Sequence, residues 1–267
     1  MCLIADFNSL KQETCAEENM DSQITSAARD LAAASRVVAL TGAGISVESG
    51  IPPFRGKGGL WERIDPMEYA HIDAFMKDPS KVWQVLIREM KEVVDKARPN
   101  SAHQGLARLE LLGILKTIIT QNVDGLHQMA GNTDVIEFHG SFAWQRCMRC
   151  DLRLETCRID LAKMPPRCAC GGIFRPECVF FGEMISTDHL SRARQAASSC
   201  DIMLVVGTSA LVQPAAYMPV IAKRSGARII EINSERTPLT RDVSDLLIMG
   251  KAGDVFNCLL TEIDKLR

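Results

Sequence analysis

Short apolar runs and helical repeats take turns along this chain, and no other feature of the sequence restricts its fold as much. Ile24, Ala27, Ala28, Leu31 and Ala32 recur at the spacing of one helix face, and the apolar run 37–40, Val-Val-Ala-Leu, follows as a strand. The exchange resumes with helix 101–112 and strand 115–119, then helix 124–130, stopped by Gly131, and strand 135–138. Helix 188–199, strand 202–206, helix 214–223 and strand 228–232 continue it, and a last helix starts at Asp254. Strands that read as continuous apolar runs and alternate with helices lie parallel and are covered on both faces. The sequence therefore predicts an α/β fold, a doubly wound parallel sheet forming a Rossmann-like large lobe.

Two stretches interrupt the alternation. Residues 50–59 are rich in Gly and Pro and predict a long loop, which leads into a helix begun at Pro79 and Ser80 with Val82, Val85, Leu86, Met90 and Val93 along one stripe. Residues 146–174 set short polar segments between cysteine pairs. We read these as a small lobe, a helical insert plus a zinc-ribbon module at approximately 51–103 and 144–174, inserted in one domain spanning 22–267. Residues 1–21 carry no sustained period and predict a disordered extension.

A net charge of -2 argues against a surface that tracks nucleic-acid phosphates, and no apolar run reaches the length of a membrane span. The first residues lack the basic and apolar regions of a signal peptide and carry Asp6, Glu13, Glu17, Glu18 and Asp21, which predicts a cytoplasmic setting. In that setting ten cysteines point to metal rather than disulfides. Cys147-x-x-Cys150 and Cys168-x-Cys170 have zinc-ribbon spacing, and four thiolates make a closed structural zinc site with no open position for catalysis.

After the first strand comes Thr41-Gly42-Ala43-Gly44-Ile45-Ser46, a turn whose bare amides could cradle a diphosphate and which is equally a purely structural device. A dehydrogenase would carry a third glycine where Val47 stands, which argues against hydride transfer.

The full string G-A-G-I-S-V-E-S-G-I-P-P-F-R, from Gly42 to Arg55, closely resembles the cofactor motif of the sirtuins, NAD-dependent protein lysine deacylases. Residues 120–127, T-Q-N-V-D-G-L-H, resemble the T-Q-N-x-D-x-L-H motif of that family, His139-Gly140 its catalytic H-G, and Phe181-Gly182-Glu183 its F-G-E segment. Gly207-Thr208-Ser209 and Ile232-Asn233 resemble its late cofactor motifs, and the likeness covers about residues 36–256.

The resemblance implies that NAD is consumed as a cosubstrate, at a centre that must be shielded from water. It places Gly42, Ala43, Gly44, Ser46, Glu48, Phe54, Arg55, Trp61, Gln121, Asn122, Asp124, His139, Gly207, Thr208, Ser209, Asn233 and Ala252 at the cofactor. In that picture Phe54 covers the reacting ribose, Arg55 orders the loop over it and Asp124 holds the carboxamide, although Asp124 also reads as a helix N-cap. His139 and Asn122 become the catalytic pair, with His139 at the carboxyl end of a strand as general base toward a ribose hydroxyl. The products would be free lysine, nicotinamide and O-acyl-ADP-ribose.

Acyl-lysine proteins are the implied partners, held as an added strand along Val179, Phe180, Phe181 and Gly182 on one side and Val212 on the other. The sequence departs from the family at two places. Only Ala169 separates the second cysteine pair, where the family usually has two residues, so Cys157 stands as an alternative ligand. Sirtuins that favour succinyl or malonyl groups carry a Tyr-x-x-Arg pair where this chain has Leu86 and Glu89, with Arg88 one position off, which predicts neutral acyl groups and a deacetylase. A mono-ADP-ribosyltransferase and a noncatalytic NAD-sensing interaction module are the competing readings; His139, Asn122 and Asp124 weigh against the second.

Overall fold

The computed structural model describes residues 20–56 and 58–267. The expected extension lies mostly outside the described residues, but Met20 and Asp21, assigned to it, are already helical.

Nine strands and eleven α-helices are described. The strands are β1 (Val37–Thr41), β2 (Leu115–Thr120), β3 (Val135–Glu137), β4 (Gly140–Cys147), β5 (Arg153–Glu155), β6 (Phe174–Cys178), β7 (Ile202–Val206), β8 (Arg228–Asn233) and β9 (Leu246–Met249). The helices are α1 (20–33), α2 (Pro66–Tyr69), α3 (Ile72–Lys77), α4 (Pro79–Val82), α5 (Arg88–Lys96), α6 (Ser101–Leu111), α7 (Leu126–Ala130), α8 (Thr187–Ser199), α9 (Met218–Arg224), α10 (Pro238–Asp242) and α11 (Ala252–Lys265).

Six strands form one sheet in the order β3-β2-β1-β7-β8-β9, and every pairing in it is parallel. Alternation along β1 shows why both faces are covered. Val37 and Ala39 face a core built with α1, α6 and α11, through Leu31, Leu106 and Phe256. Val38 and Leu40 face the opposite core with α8 and α9, through Ala197 and Met218. On α6, a side chain at Gly105 would meet the Phe256 ring at 2.6 Å, so this glycine sets how closely α6 and α11 approach. The doubly wound sheet is as expected from the alternation, with β9 an edge strand that the reading did not contain.

The helical insert has its own core of Leu60, Ile64, Phe75, Val82, Trp83, Leu86, Ile87 and Phe180. Its predicted stripe needs correction. Trp83 and Ile87 are buried while Val85 is exposed, because the turn Trp83–Ile87 between α4 and α5 is wound as a wider π turn and rotates the face that follows. Ala32 on α1 is likewise exposed. The cysteine module is a three-stranded antiparallel sheet, β5-β4-β6, whose buried centre consists of Cys147, Cys168 and Phe174.

Candidate active site

The strand order reverses direction between β1 and β7, and a ligand crevice opens at the carboxyl ends of the strands at such a point. Here a cleft of about 1130 Å³ lies there, walled on its other side by the helical insert and the segment after β6. The glycine turn is built differently from the expectation of bare amides. Gly42 N–H donates to the Val206 carbonyl at 3.1 Å and Gly44 N–H to the Gly207 carbonyl at 2.7 Å. A Cβ on Gly44 would lie 2.7 Å from Gly207 Cα, and one on Gly207, at φ +58°, would lie 2.3 Å from Ile45 N. These glycines let two strand ends meet backbone to backbone beneath the cleft.

Behind this floor runs a buried polar network. Asn122 Nδ2 donates to the Gly42 carbonyl and to Ser46 Oγ, both at 3.1 Å, and Ser46 Oγ donates to Asp124 Oδ2 at 2.8 Å. Burial raises the Asp124 pKa, opposed by hydrogen bonds from the Leu126 N–H and Ser46. The Leu126 N–H donates to Asp124 Oδ1 at 3.0 Å, but the N-cap of α7 is Gly125, so Asp124 stands one residue ahead of the capping position expected for it. Ser46 and Asp124 therefore sit behind Asn122, while Asn122 itself lines the cleft. Gln121 Nε2 donates to Thr208 Oγ1 at 2.9 Å and ties the end of β2 to the end of β7.

His139 follows β3 and lines the cleft. Its Nδ1 lies 3.1 Å from the Gln121 carbonyl, which can only accept, so Nδ1 carries the proton and Nε2 is the basic nitrogen. Burial pulls its pKa below the usual 6.5, partly offset by that carbonyl bond. The Val179 N–H donates to the His139 carbonyl at 2.9 Å, joining His139 to the segment expected to hold substrate.

Gly42, Ala43, Gly44, Glu48, Phe54, Arg55, Trp61, Gln121, Gly207, Thr208, Ser209, Asn233 and Ala252 all line the cleft. Phe54 stacks on Trp61 with ring centres 5.2 Å apart, and Trp61 leans on Phe181 at 6.3 Å. Val179, Phe180, Phe181, Gly182 and Val212 line it too. The backbone of Phe181 is already paired, however: its N–H donates to the Ala70 carbonyl and its carbonyl accepts the Ile72 N–H, each at 2.9 Å. Glu183 is held by Arg175 through two 2.6 Å hydrogen bonds and also accepts the Phe180 N–H, so this carboxylate braces the segment rather than serving as an acid.

Leu86 reaches the cleft beside Ile87, Met90 and Phe142, whereas Glu89 is outside the lining and pairs with Arg63 at 2.6 Å. Sequence reasoning did not find the second rank of polar groups. Thr41 Oγ1 contacts Thr120 Oγ1 and His127 Nε2, each at 2.9 Å, and the rings of His103 and His127 are 5.0 Å apart. Burial lowers His103 to about 4 and His127 to about 3, so both are neutral at ordinary pH. A signal for His103 was present: Asn100 and His103 have capping-box spacing, and both capping bonds form.

The Sγ atoms of Cys147, Cys150, Cys168 and Cys170 all lie within 4.8 Å of one another. The 147–170 and 150–168 separations are 3.5 and 3.7 Å, near the edge of roughly 3.8 Å for a tetrahedron with 2.3 Å zinc–sulfur bonds. N–H groups of Arg149 and Gly172 point at Cys147 and Cys170 sulfur, each at 3.4 Å, as suits thiolates. Cys157 is exposed and contacts Glu155 instead, so the short Cys168-x-Cys170 pair completes the set without it. The donor set fits zinc.

A model of the Sir2 family matches residues 42–214. NAD-dependent protein deacylase 1 of Archaeoglobus fulgidus is 48% identical over 238 residues, spanning 89% of this chain and 96% of that protein. The solved structure of a Sir2 homolog–NAD complex is similar with a TM-score of 0.83 at 48% identity, covering 90% of this chain and 94% of that one. A mutant Sir2 homologue in complex with ADP-ribose reaches 0.86 at 47% identity, covering 90% and 96%. The chain belongs to the Sir2 family.

Proposed function

We propose that this chain is an NAD-dependent protein lysine deacylase, an enzyme that consumes NAD and acts on protein substrates. The observation that carries the reading is His139, whose Nδ1–H is committed to Gln121 while its basic Nε2 belongs to a side chain lining the cleft. When bound, NAD supplies the ribose carbon that accepts the acyl oxygen as nicotinamide departs. His139 removes a proton from a ribose hydroxyl at Nε2. Asn122 is fixed by Gly42 and Ser46, so it orients ribose or water without reorganising. Phe54 and Trp61 stack over the cleft and exclude water from the reacting centre. The four thiolates hold a structural zinc that closes the cysteine module.

The other cofactor and peptide contacts named from the sequence belong to the same proposal, as does a single catalytic domain over residues 22–267. Leu86, Ile87 and Met90 offer an acyl group only apolar surface, which supports acetyl over carboxylated acyl groups. Among the described residues no helix is long and apolar enough to cross a membrane. A cytoplasmic setting is proposed on the thiols, which among the described residues are free at Cys157, Cys178, Cys200 and Cys258 besides the cluster.

Incubation with NAD and an acetyl-lysine peptide, read by mass spectrometry, tests the reading. We expect loss of the acetyl group matched by O-acetyl-ADP-ribose; gain of ADP-ribose on the peptide would establish transferase activity instead.

A further inference from the structure

A second, smaller cavity of about 130 Å³ adjoins the cleft, with room for several water molecules at roughly 10–15 Å³ each. It opens where the helical insert, the turn after β2 and strand β4 of the cysteine module meet. Ile87, Val123 and Phe142 line both the cavity and the cleft, so the two spaces share one wall. The main chain of Phe142 is held on both sides, its N–H donating to the Val123 carbonyl at 3.0 Å and its carbonyl accepting the Thr156 hydroxyl. Its ring is free to change rotamer without breaking either bond.

The cavity presents an acceptor that no group of the described residues satisfies. Gln145 lines it and is only 1% exposed, and its Oε1 has no hydrogen-bond partner. The neighbours fix which way the amide faces. The Phe142 carbonyl can only accept, so Thr156 Oγ1 gives its proton to that bond and must accept from Gln145 Nε2, 3.2 Å away. Oε1 is therefore the atom left over, and a buried carbonyl without a donor is destabilising. The other polar groups on the cavity supply no donor: Asp124 is a carboxylate, the Ser141 hydroxyl is bonded to Glu137, and Lys91 is paired with Asp95. What fits is a group that brings its own hydrogen-bond donor and no negative charge.

We propose that this cavity receives the far end of an acyl chain longer than acetyl that carries a hydroxyl group, with Gln145 Oε1 accepting the hydrogen bond. The inference rests on the deacylase reading and names hydroxyacyl-lysine as a substrate class of the same site. The first carbons lie against Leu86, Ile87 and Met90, the Phe142 ring turns aside, and the hydroxyl meets the amide. A plain hydrocarbon end displaces water and leaves Oε1 unpaired, and a carboxylate end finds acceptors of like polarity.

The test compares kcat/KM with NAD on one peptide carrying acetyl-lysine or straight acyl chains of increasing length, each with and without a terminal hydroxyl. At the length that reaches the cavity, the hydroxylated chain should be cleaved ~10-fold better than its plain counterpart, and Gln145→Met, which keeps the bulk and removes the acceptor, should bring that ratio to one or below. Each ratio compares two substrates on one enzyme, so a general loss of activity cancels. Thr156→Val, which removes the hydroxyl that orients the amide, should lower the ratio in the same direction and serves where Gln145→Met does not fold. Plain chains cleaved as well as hydroxylated ones at every length overturn the inference, as does a preference that survives the variants. Free butanediol that raises the melting temperature of wild type but not of Gln145→Met, with no hydroxyl preference on the peptide, makes the cavity a site for a separate small alcohol and overturns the acyl assignment. If no acyl peptide is turned over, the deacylase reading and this inference fall together; if acetyl-lysine is cleaved and the hydroxyl gives no advantage, only the inference falls.

Discussion

The sheet lobe and the cysteine module solve the problem of staying folded in opposite ways. The sheet is covered on both faces by helices, and its strands β1 and β7 are buried at every position. The cysteine module has a buried centre of three residues, two of which belong to the four-cysteine cluster that fits zinc. Burial holds the first; coordination has to hold the second, because so few apolar side chains cannot offset the ordering of about 30 residues. The cleft draws on both. His139 and the glycine floor come from the sheet, while the wall proposed for substrate continues from β6 and is joined to His139 by the Val179–His139 bond.

Removing the metal should separate the two regions most sharply. Structural zinc contributes about 10–16 kcal/mol in small modules, so chelation or Cys147→Ser should unfold residues 144–175, exposing them to limited proteolysis, while the helices of the sheet lobe keep their circular dichroism. Activity should vanish with the substrate wall. Global unfolding on chelation would show that the sheet lobe is not self-sufficient.

His139→Ala should act in the reverse sense, with activity lower by ~10²–10⁴ and the melting temperature nearly unchanged, since the ring makes one hydrogen bond in this fold. Near-normal turnover by the folded variant would remove His139 from the role of base. In the wild type, the acid limb of the rate profile should lie below pH 6.5, because burial lowers the His139 pKa and the imidazole stays unprotonated further into acid.

Acid should weaken the sheet lobe through its two deeper histidines. Their folded pKa values, about 4 and about 3, lie below the unfolded value of 6.5, so the unfolded chain takes up protons first as pH falls. Stability present above pH 6.5 is lost as pH drops toward 4, by roughly 3 kcal/mol for His103 alone. Denaturant titrations at pH 7 and pH 5 measure this, and His103→Gln should flatten the dependence. The smallest effect expected is on acyl choice. Acetyl-lysine should exceed succinyl-lysine by about tenfold or more in kcat/KM on one peptide, given the apolar cleft face of Leu86, Ile87 and Met90. Equal cleavage would show that a cation reaches the acyl end.

What could be read from the sequence follows the same division. Strands such as 202–206 are apolar at every residue and could be taken directly, to the residue, as β7. The strands of the cysteine module could not. β4 reads Gly-Ser-Phe-Ala-Trp-Gln-Arg-Cys, its pairing with β6 shifts register between Ser141 and Gln145, and no regular alternation marks it. β9 is four residues long and only partly buried, too little for a pattern. At the site, the motif residues were legible and mostly converge on one cleft. Glu89 was placed by register alone, and the side chain instead meets Arg63 on the surface of the insert. Ser46 was grouped with the cofactor contacts, while its actual place behind Asn122 depends on β1 and β2 lying side by side, which no local window contains.

The meeting of Gly42, Gly44 and Gly207 also bears on how this chain can change over generations. A methyl group at any of the three collides with the main chain or a neighbouring side chain within 3 Å, whether or not a dinucleotide is present. Selection for a folded product therefore preserves these glycines in a descendant that has abandoned catalysis. His139 has no such steric protection: its ring can be truncated without a clash. The glycine string therefore testifies to folding, and the histidine after β3, under the function proposed for it, is the better witness of catalysis.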